Sequence, residues 1–235
     1  MRRNLLLVMA SCLIMANMAA AAPPTPKTEQ DKTLYALGVI ISRNLQPFTL
    51  TPSELAMVEA GLADGVQDKV ALKDFESYGP KLQELQKTRM AAVAAKEKAA
   101  GVAYLAKAAA EPGSTKTSSG LVIKTLTAGT GASPTAKDQV KVHYEGKFVD
   151  GRVFDSSIER KEPATFPLTG VIPCWTEAVQ LMKVGGKARI VCPSALAYGD
   201  EGRPPQIPGG ATLVFQVELL DIVTAGAAAL PVPGK

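Results

Sequence analysis

The chain has 235 residues, 46% of them apolar, and its 26 basic and 22 acidic side chains leave a formal charge of +4. A charge this small, with no long basic block or aromatic-interleaved stripe, excludes the electrostatic footprint of a nucleic-acid-binding protein. One histidine and three cysteines are too few for a metal site built on imidazoles or four thiolates.

The first residues form a leader. Arg2 and Arg3 precede an apolar run from Leu5 to Met18, and Ala19 to Ala22 lead to Pro23, the layout of a secretory signal peptide. Cleavage after Ala21 suits the small-residue rule, because cutting after Ala22 would set Pro23 beside the scissile bond, so residues 1–21 are expected to be removed. The run is too short to span a bilayer comfortably and lacks a stop-transfer flank, which argues against a transmembrane anchor. Two other signals compete weakly: the Arg pair as a twin-arginine motif, and Met9 to Cys12 as a lipoprotein box that would tether the protein through lipid. Removal of the leader lowers the charge to +2 and leaves Cys174 and Cys192. An even count in an exported chain points to one disulfide; two small buried thiols are the alternative.

Residues 27–110 read as helical. Leu34, Leu37, Ile41 and Leu45 recur at helical spacing, and Leu55, Val58, Leu62 and Val66 repeat the pattern. Between them, Thr51 precedes Pro52 and stands three residues before Glu54, the signature of an N-cap, proline at the first helical position and a capping box. A third helical stretch runs from about Lys73 to Ala109, with a kink or restart expected at Gly79 and Pro80. From Lys81 onward it is polar on most sides, and Leu82, Leu85, Val93, Val102 and Leu105 are too sparse for a core-facing stripe, so it reads as a long solvated spacer helix. The two short helices carry more apolar face than so small a segment can bury. A homodimer with isologous contacts solves this; a monomeric cap folded back on the C-terminal half is the alternative.

Residues 111–120 carry proline, glycine and a polar run, and read as a flexible linker. Beyond them the pattern changes to strands. Leu121 to Leu126, Gln139 to Tyr144, Lys187 to Cys192 and Thr212 to Leu220 alternate or run apolar over strand lengths. Asp150 and Gly151 mark a hairpin, and Gly185 and Gly186 turn the chain into the next strand. The one helical pattern, Trp175 to Met182, is two turns long. The fold class is therefore α+β: an antiparallel sheet over residues 121–223 wrapped around one short helix, preceded by an all-α dimerisation domain. Residues 224–235, almost uncharged and rich in Ala, Gly and Pro, read as a disordered tail.

Four separated motifs occur in order: Val140 to Ser157 (VKVHYEGKFVDGRVFDSS), Val171 to Trp175 (VIPCW), Ala197 to Gly199 (AYG) and Ala211 to Phe215 (ATLVF). Together they resemble the catalytic domain of the macrolide-binding, FKBP-type peptidyl-prolyl cis-trans isomerases, over residues 118 to 223. The resemblance implies an apolar pocket for a proline ring, lined by Tyr144, Phe154, Phe166, Trp175 and Phe215, with Val171 and Ile172 in the wall and Ile207 in a loop over the mouth. It implies that Trp175 is the floor, that the Ile172 N–H and the Tyr198 hydroxyl hold substrate carbonyls, and that Asp155 either meets the rotating carbonyl or orders the pocket side chains. Isomerisation needs no nucleophile, metal or cofactor, only a lower barrier to rotation about an amide held planar by resonance. His143, alone of its kind, reads as a hydrogen-bonded strand residue.

Departures from the family pattern are informative. Cys174 stands where a glycine usually precedes the tryptophan and Cys192 replaces an aliphatic residue; paired, they would tie the pocket helix to the sheet. Ala164 takes the position of a further pocket aromatic, and Arg203 and Gln206 occupy loop positions that vary in the family. The layout of leader, helical half, spacer and isomerase domain is similar to the macrophage infectivity potentiator and FkpA group of bacterial envelope isomerases. That similarity implies a periplasmic homodimer, with outer-membrane or surface association open, acting as isomerase and chaperone on proline-containing unfolded or nascent exported proteins, with macrolides as inhibitors. The rival reading is a non-catalytic holdase that uses the pocket only for docking.

Overall fold

A computed structural model describes residues 25–223; the leader and the tail lie outside them. The chain divides after Ile41. The first unit holds all but the last residue of α1 (Glu29–Ser42), whose side chains are exposed throughout, Leu34 at 60%. The helix stops short of Leu45, which bonds back to Ser42 in a turn, because Pro47 lacks an N–H and its ring would strike the carbonyl four residues earlier.

In the second unit, α2 (Pro52–Val66) starts as its residues demand. Thr51 Oγ1 accepts from the Glu54 N–H and the Thr51 N–H donates to Glu54 Oε2, at 2.8 Å, completing the capping box. Burial is absent here too: Met57 is 74% exposed and Val66 86%. A 3-10 turn (Phe75–Tyr78) then gives way to α3 (Gly79–Ala109), so Gly79 and Pro80 mark a restart. Its 31 residues span about 46 Å.

The spacer reading needs correction over the C-terminal part of α3. Ala94, Gly101 and Ala108 are buried, and their spacing of seven puts them on one face two turns apart. That face lies on the sheet domain. A Cβ on Gly101 would stand 2.1 Å from Thr212 Oγ1, and the backbone of Ala94 is so close that a Cβ on Gly210 would meet its carbonyl oxygen at 2.4 Å. At the end of α3, Ala108 joins Val122, Val191 and Val214, with Tyr104 and Leu105 packed beside them. The sequence pattern of large apolar residues misses this contact because small residues make it.

The polar stretch after α3 is also more ordered than a linker. Ser114–Lys116 forms β1, paired antiparallel with β2 (Val122–Thr127). Glu111 anchors the junction, with Arg189 Nη2 at 2.6 Å and Lys124 Nζ at 3.3 Å; these two cations lower its carboxyl pKa.

The remaining strands are β3 (Gln139–Phe148), β4 (Val153–Ser156), β5 (Ala164–Pro167), β6 (Lys187–Cys192) and β7 (Leu213–Val223), all antiparallel in the order β1-β2-β6-β7-β3-β4. One edge of β3 runs along β7 from Gln139 opposite Val223 to Phe148 opposite Leu213. Its other edge is shared, the first half by β5 and the second by β4. Alternate β3 residues Val140, Val142, Tyr144 and Phe148 point into the core, the period of two that a pleated strand imposes. The short helix α4 (Pro173–Gln180) fills the concave face, burying Trp175, Ala178 and Val179 against Val140, Val217 and Leu219. It begins two residues earlier than the apolar pattern indicates, because Pro173 supplies the preset φ of a first helical position.

Cys174 on α4 and Cys192 on β6 form a disulfide with Cα atoms 5.7 Å apart, both wholly buried. The bridge pins the helix beneath the pocket to the central sheet.

Candidate active site

An open cavity of about 470 Å³ lies between the sheet and α4. Five side chains from four strands converge on it: Tyr144 from β3, Phe154 and Asp155 from β4, Phe166 from β5 and Phe215 from β7. A register shift in the β3–β4 pairing between Gly146 and Lys147 sets Asp155 opposite Gly146. Val171, Ile172 and Trp175 come from the entry and first turn of α4, and Tyr198 and Arg203 from the loop after β6.

Trp175 is the hub. The rings of Tyr144, Phe166 and Phe215 stand around its indole at 5.4, 5.8 and 5.3 Å, each within a few degrees of perpendicular. Edge-to-face pairs of this kind add about 0.5–1.5 kcal/mol each beyond the area they bury, so the indole is held in one orientation. Phe154 continues the wall through Phe215, centroids 5.7 Å apart.

Polar groups gather at one side. The Tyr144 hydroxyl donates to Asp155 Oδ2, Arg160 Nη1 donates to Asp155 Oδ1, and Arg160 Nη2 donates to the Tyr144 oxygen at 3.0 Å. Burial works to raise the Asp155 carboxyl pKa, but the Tyr144 hydroxyl and the Arg160 guanidinium outweigh it and hold the group below its ordinary value. Burial raises the Tyr144 phenol and the bond to Asp155 adds to it; Arg160 is raised by the Asp155 carboxylate first and the Tyr144 oxygen second. The three groups therefore stay as anion, neutral phenol and cation at neutral pH.

Backbone geometry supports this set. The buried Ser157 hydroxyl accepts from the Tyr144 N–H at 2.8 Å and its N–H donates to the Tyr144 carbonyl at 3.0 Å, fixing the strand from which the phenol projects. His143 completes the contact, Nδ1 3.1 Å from Ser157 Oγ. The Ile172 carbonyl accepts from the N–H groups of Trp175 and Thr176 at the start of α4.

Nine of the ten expected site residues border this cavity. Ile207 is not among them: it is buried, its N–H donates to the Arg203 carbonyl at 3.0 Å, and it borders a neighbouring cavity instead. Three contributors had no role in the sequence reading. Arg160 sits five residues after Asp155, close enough in the chain to fold back on it. Gly170 lines the wall. Gly146 lets two rings close over it: a Cβ there would lie 2.6 Å from Phe154 Cζ and 3.0 Å from Phe215 Cε1. A glycine inside a strand is a signal of such an approach.

Among the described residues no cluster of three or more His, Cys, Asp or Glu side chains is placed to hold a metal ion. What the cavity offers is an apolar, aromatic-walled slot with donors and an acceptor at its edge.

Residues 131–220 match the family described as FKBP-type peptidyl-prolyl cis-trans isomerase, and residues 30–124 match the domain amino-terminal to that isomerase. The FKBP-type peptidyl-prolyl cis-trans isomerase FkpA of Aeromonas hydrophila is 41% identical over 220 residues, 88% of this chain and 82% of its own. The FKBP-type 22 kDa peptidyl-prolyl cis-trans isomerase of Escherichia coli is 39% identical over 207 residues, 85% of this chain and 98% of its own. Among solved structures, FkpA from Escherichia coli superposes with a TM-score of 0.66 at 37% identity, covering 86% of this chain and all of that one. On this evidence the chain belongs to the FKBP-type peptidyl-prolyl cis-trans isomerase family.

Proposed function

We propose that this isomerase accelerates X-Pro rotation in unfolded exported proteins, by solvating the twisted amide better than the planar one, and that it works as a homodimer that also holds unfolded chains. The observation that carries the catalytic reading is the Trp175 floor with three rings set perpendicular around it. A planar prolyl amide keeps a barrier of about 18–20 kcal/mol through resonance and its charge separation. The twisted state has lost both, so an apolar slot favours it over the ground state, which is what lowers a barrier.

Within that slot the pyrrolidine ring rests on Trp175, and the Ile172 N–H and the Tyr198 hydroxyl hold the carbonyls on either side. Asp155 has both oxygens engaged by Tyr144 and Arg160, which favours a role in ordering the pocket over direct contact with the rotating carbonyl. The hydrogen-bonded set of Tyr144, Asp155 and Arg160 then keeps the pocket wall fixed while the bond turns, so no reorganisation is needed at the moment of rotation. No proton changes hands.

The dimer reading rests on α1 and α2, each with no buried residue and each exposing large apolar side chains, including Leu37 and Ile40 on the first and Leu62 and Val66 on the second. A second copy is the natural cover for such faces. Export is supported by the leader-like first residues and by the buried disulfide, a bond that persists in oxidising compartments. Among the described residues no helix is long and apolar enough to cross a membrane.

A protease-coupled assay on a short prolyl peptide tests the catalytic roles. Tyr198→Phe is expected to lower kcat/KM about ten-fold, the loss of one hydrogen bond to substrate in a desolvated site; unchanged turnover would remove Tyr198 from the mechanism. Sedimentation of the mature protein tests the dimer, and loss of aggregation suppression on deleting residues 27–110 tests the holding function.

A further inference from the structure

We propose that a second cavity, bounded by Met90, Val93, Phe148 and Ile207, is a subsite for one apolar side chain of the polypeptide whose proline occupies the catalytic slot. The proposal rests on the polypeptide-client reading above. This cavity measures about 270 Å³ and lies between the α3 face, the 3-10 turn Gln46–Phe48 and the loop that follows Tyr198.

Continuity with the catalytic slot identifies the occupant. The same loop supplies both cavities: Tyr198 and Arg203 border the slot, Ile207 borders the second cavity, and Arg203 pairs with Ile207 in a two-residue bridge. The partition beside it is one pair of rings, Phe154 on the slot side and Phe148 on the other, with centroids 5.1 Å apart. An extended chain rises about 3.3 Å per residue, so a peptide leaving the slot reaches the second cavity within a few residues.

Size and chemistry narrow the ligand. The volume falls below the roughly 300–1,000 Å³ of sites that enclose whole small molecules, yet it accommodates a leucine or phenylalanine side chain. The floor is apolar, and the rim cation is already satisfied: Arg152 Nε is 2.7 Å from Asp150 Oδ2 and its guanidinium lies over the Phe148 ring at 4.9 Å. With Arg152 already paired to Asp150 and the Glu201 carboxylate in the lining, an anionic ligand is disfavoured there. Met90 supplies a deformable thioether wall, suited to side chains of varied shape. Two of the walls come from the helical half, so the subsite exists only in the longer chain and gives α3 a part in substrate selection.

The test is a leucine scan. Prolyl peptides with Ala at every position two to five residues on either side of the X-Pro pair are compared with peptides carrying one Leu, using the full mature chain. One position is expected to raise kcat/KM at least about five-fold, well within what a single apolar pocket discriminates. Val93→Trp, which fills the cavity, is expected to bring the ratio of Leu to Ala peptide at that position to one. Met90→Ala, which enlarges it, is expected to shift the preference from Leu toward Phe or Trp, a change that mere destabilisation does not produce. A flat scan in the parent chain overturns the proposal, as does a preference that survives both variants. Activity on the all-Ala peptide reports separately on the isomerase itself. Loss of self-association in Val93→Trp, read by sedimentation, would make the occupant a second copy of the chain and equally overturn the assignment.

Discussion

The Tyr144 hydroxyl is hydrogen-bonded to the Asp155 carboxylate at the edge of the aromatic slot, and Arg160 bonds to both partners from outside. The triad ties β3 to β4 at the point where the pocket opens. Asp155→Ala is expected to leave the fold intact and to lower kcat/KM about ten- to a hundred-fold, the range for losing hydrogen bonds to a charged group. Wild-type turnover in Asp155→Ala would show that the ordering has no catalytic weight.

The same triad has a pH signature. Asp155 has its carboxyl pKa lowered in the fold, because Tyr144 and Arg160 outweigh the opposing effect of burial. A lowered folded value means that the group stabilises the fold above its ordinary pKa near 3.9 and that this contribution disappears as pH falls through the lower folded value. Activity is therefore expected to show no titration of Asp155 above about pH 5. Removing the phenol in Tyr144→Phe deletes one of the lowering bonds, so a carboxyl NMR titration should find Asp155 moved upward. An unmoved midpoint would contradict the contact.

Gly146 makes a further prediction about the wall. A Cβ in Gly146→Ala would press on Phe154 at 2.6 and 2.8 Å and on Phe215 at 3.0 Å. Neither ring can retreat freely, since Phe215 is set against Trp175 and Phe154 against Phe148. The expected cost is about 1–3 kcal/mol, as for other overpacked cores, seen as a lower urea midpoint, together with a raised KM. A variant as stable as the parent would mean that the rings yield more easily than their contacts indicate.

Parts of this architecture were open to sequence reasoning because local chemistry announces them. Thr51, Pro52 and Glu54 specify a helix start whatever surrounds them, and the alternation along β3 and β7 follows from one buried face. The slot residues were legible as a set through their motifs, although Tyr144 or Phe215 alone reads as an ordinary core aromatic. What stayed hidden depends on partners distant in the chain. β1 is a strand only because Ser114 lies opposite Lys124 and Thr115 opposite Ile123, and its own polar residues carry no apolar pattern. β5 is four residues long and ends in Pro167, a residue that argues against a strand. Ile207 borders the neighbouring cavity and not the slot, because the two bonds between Arg203 and Ile207, which the sequence does not show, set where that part of the loop lies.

The buried bridge allows a chemical test. Cys174 and Cys192 close a loop 18 residues apart, which corresponds to about 3 kcal/mol in the chain-entropy account. Cys174→Ser with Cys192→Ser is expected to lose roughly that much stability, and thiol titration of denatured, unreduced mature protein is expected to find no free cysteine. Titratable thiols at Cys174 and Cys192 in the unreduced protein would refute the pairing.

The last prediction concerns the small-residue face of α3. Gly101 touches Thr212 so closely that an added Cβ would stand 2.1 Å from its hydroxyl oxygen and 2.9 Å from its Cβ, and Thr212 is buried immediately before β7. Gly101→Ala raises helix propensity by about 1 kcal/mol, so a solvated spacer would gain stability from it. A docked helix must instead move off the sheet, uncovering Val122, Val191 and Val214 and straining the Lys98–Asp200 ion pair, now 2.6 Å long. The two accounts differ in sign. Gly101→Ala is expected to lower the unfolding midpoint and to speed amide exchange in β6 and β7, while a rise in stability would restore the solvated reading.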